Sequence, residues 1–279
     1  MSPDSRRSLI SAGLTRARLG LRSRLVQRVR VSDGDHIHVF RCEDPLEVTR
    51  AVTLLEKEAG TVRFIRTEVR SGDVFYDIGA NIGLYTLVAA RRVGDDGMVC
   101  AFEPHAANVM SLLRNVAENK LDDRVKVVSA ALTDASGFFA FDYRSAEPGS
   151  ALSRLESEGA VGEAFEPVFR ELKYATSVDA LVEDGVIPPA DLVKIDVDGN
   201  EPLVLRGMTS HLSGDRRPRA VQVEIDPETR EQVRELMRDY GYDVAERHET
   251  MAGQALIESG EDPGEVVHNV VFRPPSERT

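Results

Sequence analysis

Asp73-Val-Phe-Tyr-Asp77-Ile-Gly79-Ala-Asn-Ile-Gly83-Leu-Tyr-Thr86 runs from an apolar segment through an acid into two glycines, then into a helical pattern. Val74-Phe-Tyr reads as a buried strand and Leu84 to Arg92 as a helix. A glycine-bearing turn between strand and helix brings backbone N–H groups close to a ligand. Which ligand the turn holds decides what kind of α/β protein this is.

Three ligands suit such a turn. A P-loop needs a lysine directly after its last glycine, and no Lys follows Gly83. A dinucleotide fingerprint is G-x-G-x-x-G, which Gly79-x-x-x-Gly83 matches poorly. S-adenosylmethionine has no phosphate but carries an ammonium, a sulfonium and a carboxylate, so its site calls for an acid beside the turn. Asp77 stands there, two residues before Gly79. Downstream, Met98 to Phe102 reads as a second strand that ends in Glu103-Pro104. An acid at that place can accept both ribose hydroxyls, a feature shared with NAD sites. Asp77 and the Gly79–Gly83 spacing favour S-adenosylmethionine.

The alternation continues outward: a helix from Ala106 to Asn119, a strand from Val125 to Ala131 and a strand from Phe138 to Tyr143. Residues 144–172 are polar and irregular and read as a lid. A helix follows at Ser177 to Glu183, a strand at Asp191 to Asp196, a helix at Glu201 to Met208 and a strand at Ala220 to Ile225. Pro227 to Tyr240 reads as a helix, with last strands at Tyr242 to Glu246 and Val266 to Phe272. About seven strands alternating with helices predict a mostly parallel α/β sheet. Upstream, residues 33–42 suggest a strand and 46–70 two helices. The expected organisation is a basic helical arm and substrate-side cap over 1–70, then a cofactor-binding domain over 71–279 with an insertion at about 144–172.

Tyr76 to Thr86, Phe102-Glu-Pro104, Ala130-Ala-Leu-Thr-Asp134 and Val193-Lys-Ile-Asp-Val-Asp-Gly-Asn-Glu201 resemble the FkbM family of S-adenosylmethionine-dependent methyltransferases. The resemblance covers roughly residues 55–272. It implies a class I methyltransferase, Rossmann-like α/β sheet of seven strands with helices on both faces and the last strand antiparallel. It also implies that Asp77, Gly79, Ala80, Asn81, Gly83, Thr86, Glu103, Pro104, Ala131 and Asp196 hold the cofactor. The implied activity is O-methylation of a hydroxyl on a natural product, a sugar or a lipid-linked glycan. N- or C-methylation with the same cofactor, and a non-catalytic S-adenosylmethionine-binding protein, are the other readings.

An alcohol acceptor must lose its proton, which calls for a base in reach or a metal that lowers the hydroxyl pKa. Asp196, at the end of the strand across the expected switch point, is the first candidate for base or metal ligand. Glu224 is the second, and His268 in the last strand the third. A divalent metal is compatible with these acids but not expected, because the full acid pattern of catechol O-methyltransferase-like enzymes is missing. Glu201 and Asp226 suit helix starts, and Lys194 suits pairing with a buried acid. His105 begins a helix beside the expected adenine site, and Glu56 and Glu58 stand where acids can meet substrate hydroxyls.

The chain of 279 residues is 42% hydrophobic and 29% charged, with net charge −12. That balance argues against nucleic acid as a partner. No apolar run approaches the ~20 residues of a membrane span. Two cysteines make neither a disulfide framework nor a metal knuckle, and a reducing cytoplasm is the expected compartment. Residues 1–30 hold eight Arg and one Asp among scattered leucines, so about −19 falls on the remainder. This arm suits a helix packed on the main domain, or peripheral contact with a membrane or an acidic carrier protein.

Overall fold

The computed structural model describes residues 26–156 and 165–275. Strands β1 (Gln27–Ser32) and β2 (Ile37–Cys42) form an antiparallel hairpin, followed by helices α1 (Pro45–Val52), α2 (Leu54–Lys57) and α3 (Ala59–Glu68). The alternating part comprises β3 (Val74–Ile78), α4 (Leu84–Arg92), β4 (Met98–Phe102), α5 (Ala106–Glu118) and β5 (Val125–Val128). A smaller section holds β6 (Ala131–Leu132), β7 (Gly137–Tyr143), β8 (Arg154–Leu155) and β9 (Phe169–Thr176). Then come α6 (Val178–Glu183), β10 (Leu192–Ile195), α7 (Glu201–Arg206), α8 (Thr209–Ser213), β11 (Ala220–Ile225), α9 (Arg230–Asp239), β12 (Asp243–Glu249), α10 (Met251–Glu258) and β13 (His268–Arg273).

Seven strands form one sheet in the order β12-β13-β11-β10-β3-β4-β5. β11, β10, β3, β4 and β5 are parallel, and β13 runs antiparallel to both its neighbours. This is the mostly parallel sheet with an antiparallel last strand that the sequence predicts. Strand order reverses between β3 and β10, and a doubly wound sheet opens its ligand crevice at the carboxyl ends there.

The strands alternate between two cores. Phe75, Val99, Ala101 and Leu192 face one layer with Leu54, Ile65, Leu87 and Leu112. Tyr76, Cys100, Val193 and Val223 face the other with Leu205, Met208 and Met237. Each fully buried side chain of this size contributes roughly 1.5–3 kcal/mol. The surface ion pairs contribute about 0–1 kcal/mol each, so apolar burial dominates stability. Phe40, Ala51, Leu54 and Val62 from the first 70 residues belong to the first core, so the cap and the sheet share one interior.

Four sequence expectations need correcting. The strand expected over 125–131 splits: β5 joins the large sheet, whereas β6 pairs with β9 in a separate four-stranded sheet, β6-β9-β7-β8. The irregular stretch expected over 144–172 contains β8 and the start of β9, both paired with β7. Solvent reaches both faces of β9, so the stretch lacks the apolar alternation that marks a half-buried strand. Residues 46–70 make three helices rather than two. Val29 lies in a strand instead of an arm helix, and the rest of that arm, residues 1–25, lies outside the described residues.

Candidate active site

β3 ends in Asp77 and Ile78, and the chain then turns through Gly79 (φ 79°), Asn81 (φ 50°) and Gly83 (φ 91°). The amides of Gly79 and Ala80 both donate to the carbonyl of Phe102 at 3.0 Å, tying the turn to the end of β4. A Cβ at Gly79 would lie 1.7 Å from the carbonyl oxygen of Asp196, so only glycine lets the β3 and β10 ends meet. At Gly83 a Cβ would lie 2.5 Å from Leu112 Cδ1, so this glycine serves the packing of α5.

Glu103 follows β4 and is buried. Its Oε2 accepts the Asn81 amide at 2.7 Å, and its Oε1 accepts the His105 amide at 2.8 Å. Burial raises its pKa to about 7, although those amides pull the other way. The Asn81 and Asn108 side chains both donate to the Ser150 carbonyl, at 2.9 and 3.0 Å. Ser150 is therefore tied to the turn and to α5.

A cavity of about 340 Å³ opens over the carboxyl ends of β3 and β10. Gly79, Ala80, Asn81, Glu103, Pro104 and Ala131 line it. His105 lines it too, with Nε2 2.8 Å from the Ser145 carbonyl.

Asp77, Gly83, Thr86 and His268 depart from the sequence reading, since none of them lines the cavity. Asp77 is fully buried. It accepts from Thr86 Oγ1 at 2.5 Å, and its Oδ1 lies 3.4 Å from Lys194 Nζ. Its contacts are therefore within the protein, to Thr86 and to a Lys194 that it shares with Asp196. Lys194 also donates to the Gly79 carbonyl at 3.0 Å and lies 3.2 Å from Asp196 Oδ2. His268 sits fully buried in β13 with Nδ1 2.9 Å from the Val266 carbonyl. Its burial lowers its pKa, which suits a neutral structural histidine.

Asp196 and Glu224 do line the cavity, joined by Glu58 from the start of α3. Ligand oxygens of these three acids lie within 4.8 Å of one another, and among the described residues they form the acid group able to hold a cation. Burial pushes Asp196 up, but Lys194 and Lys57 outweigh it and keep its pKa below the ordinary value. Burial, then the charges of Asp196 and Glu58, push Glu224 far up, so it keeps its proton and donates toward Asp196. Lys57 Nζ is 3.3 Å from Glu58 Oε1. Lys194 and Lys57 thus face three carboxyl groups, Asp77, Asp196 and Glu58, besides Glu224. Glu56, by contrast, is exposed on α2.

Asn200 is the site residue that sequence reasoning misses. Its position before Glu201 reads as a helix cap, yet its side chain makes no capping bond. Its Oδ1 is buried without a partner on the cavity wall. Glu201 does the local structural work, accepting the amides of Val197 (3.0 Å) and Gly199 (3.1 Å). The cavity thus offers an acid for paired hydroxyls (Glu103), an orphan acceptor for a cationic donor (Asn200) and a glycine floor (Gly79). That donor set fits S-adenosylmethionine.

The family model described as the methyltransferase FkbM domain matches residues 77–244. Hexuronic acid methyltransferase AglP of Haloferax volcanii is 29% identical over 158 residues, 57% of this chain and 59% of the relative. The match thus spans somewhat over half the length of that relative. Methyltransferase sdnD of Sordaria araneosa is 26% identical over 195 residues, 62% of this chain and 75% of the relative. A crystal structure of methyltransferase FkbM from Methylobacillus flagellatus superposes with TM-score 0.48 at 14% identity, covering 81% of this chain and 55% of that one.

Proposed function

Because the chain belongs to the FkbM family of methyltransferases, we propose that it methylates a hydroxyl of a sugar or glycan using S-adenosylmethionine. The observation that carries this reading is one cavity in which Gly79, Glu103 and Asn200 face the acids Asp196, Glu224 and Glu58. The likeness to a hexuronic acid methyltransferase supports a sugar as the acceptor class.

Bound S-adenosylmethionine supplies an electrophilic methyl carbon on a positively charged sulfur. Glu103 accepts the ribose hydroxyls and Asn200 Oδ1 accepts from the ammonium. Most of the rate gain comes from holding the reacting groups in line. Asp196 would be the base: Lys194 keeps it ionised, so it would take the proton of the acceptor hydroxyl whose oxygen receives the methyl group. Glu224 keeps its proton and orients Asp196. Glu58 receives the acceptor from the cap side.

Incubation with methyl-labelled S-adenosylmethionine and a panel of methyl glycosides and uronides tests the reaction class. Label is expected in an alkali-stable methyl ether. Label in an alkali-labile ester, or transfer only to nitrogen or carbon, overturns the hydroxyl assignment.

The Glu103 pKa sets a pH dependence. The ionised carboxylate is the better acceptor for hydroxyls, and it is lost as pH falls through about 7. Affinity for S-adenosylmethionine should therefore fall about tenfold from pH 8 to pH 6, following the ionised fraction. Calorimetry across this range should show proton release on binding, and Glu103→Gln should flatten the profile. A flat profile in the wild type contradicts this assignment.

A further inference from the structure

Beside the first cavity lies a second of about 390 Å³, lined in part by Arg144, Arg154, Phe165, Asp226 and Val267. Leu152 and Asp198 belong to both cavities. The Leu152 amide donates to Asp198 Oδ2 at 2.7 Å, joining the lid to the turn after β10. Both residues hold left-handed backbone, φ 61° and 55°. Each costs on the order of 1–2 kcal/mol for a non-glycine residue. Such strain persists where surroundings impose it, and it clusters at ligand sites.

The second cavity also sits over the carboxyl ends of the strands, since Asp226 directly follows β11. An acceptor with its reacting hydroxyl at Asp196 can extend past Leu152 and Asp198 into the second cavity. Arg144 and Arg154 line it together with Asp198, Asp226 and Glu228. The Arg144 guanidinium lies 5.5 Å from the centre of the Phe165 ring. A guanidinium stacked on a ring keeps its N–H edge free to grip a carboxylate or phosphate with two bonds. Arg154 lines the same space, with Nη2 3.2 Å from Glu156 Oε1. Asp198 and Asp226 offer carboxyl groups to neutral hydroxyls, and burial raises both pKa values, Asp198 to about 6.

We propose that the acceptor is a glycan with an anionic group on the sugar beyond the methylated one, and that Arg144 holds this group in the second cavity. The inference rests on the first cavity being the methyl-transfer site. Carboxylate and phosphate share the chemistry Arg144 recognises, so the test carries both.

The full chain, saturated with S-adenosylhomocysteine, is titrated with methyl β-D-glucuronide, glucose 1-phosphate and neutral methyl β-D-glucoside. One of the two anions should bind at least about tenfold tighter than the glucoside, the value of one charged hydrogen-bond pair. In Arg144→Gln that preference should fall below about threefold. The anion that binds tighter identifies the source of the charge. Equal binding of all three probes, no binding of any, or a preference that survives Arg144→Gln overturns the proposal. S-adenosylhomocysteine affinity, measured alongside, separates the two readings. If the protein binds it and anion preference is absent, only the acceptor inference fails. If the wild type does not bind it, the methyl-transfer site itself is wrong.

Discussion

Asp196→Asn lowers kcat by about 10²–10⁴-fold, the range expected for loss of a positioned general base, while S-adenosylmethionine affinity changes far less. The amide keeps the size and the contact with Glu224 but cannot take a proton. Lys194 retains Asp77 and two carbonyls as partners, so the turn under Gly79 keeps its shape. The paired acid behaves differently. Glu224 already carries its proton, so Glu224→Gln preserves a donor toward Asp196 and should cost no more than about tenfold, the size of one hydrogen bond. Steady-state kinetics with a labelled methyl donor reads both variants. Equal losses in the two would contradict the division between an ionised base and a protonated neighbour. A loss in Asp196→Asn confined to cofactor affinity would move that residue from base to cofactor holder.

Glu103→Ala should weaken S-adenosylmethionine binding by at least about 100-fold, from two charge-assisted hydroxyl bonds at roughly 1.5–3 kcal/mol each. The damage extends past the ribose. The carboxylate also accepts the amides of Asn81 and His105, so alanine leaves two buried donors unmet and loosens the turn that forms the cavity floor. Glu103→Gln keeps an acceptor for one of them and should lose less.

The centre of the fold was readable because local signals agreed there. Apolar runs at β3 and β4, glycines after β3 and a helical pattern over α4 all point to one strand-turn-helix unit. The antiparallel β13 followed only from the family resemblance. The small sheet was hidden because β9, its central strand, is exposed on both faces along most of its length. At the site, residues tied to the backbone turn were legible: Gly79, Asn81 and Glu103 owe their place to chain geometry within a few positions. The contact of Asp77 with Lys194 was not legible, because that partner arrives from a distant strand. Glu58 completes the acid group from the cap, where a solvated helix face is the commoner fate of a glutamate. Asn200 looked like a cap because its neighbour Glu201 performs the local bonding that a cap would. His268 drew notice as a titratable group near a strand end, but it is fully buried and does not line the first cavity.

The central claim is that the Gly79–Glu103 cradle binds S-adenosylmethionine. Calorimetric titration of wild type and Glu103→Ala with S-adenosylmethionine, and of the wild type with NAD, tests it most directly. The account predicts binding of S-adenosylmethionine alone, lost in Glu103→Ala. Binding of NAD in its place, or equal affinity in the two proteins, would contradict it.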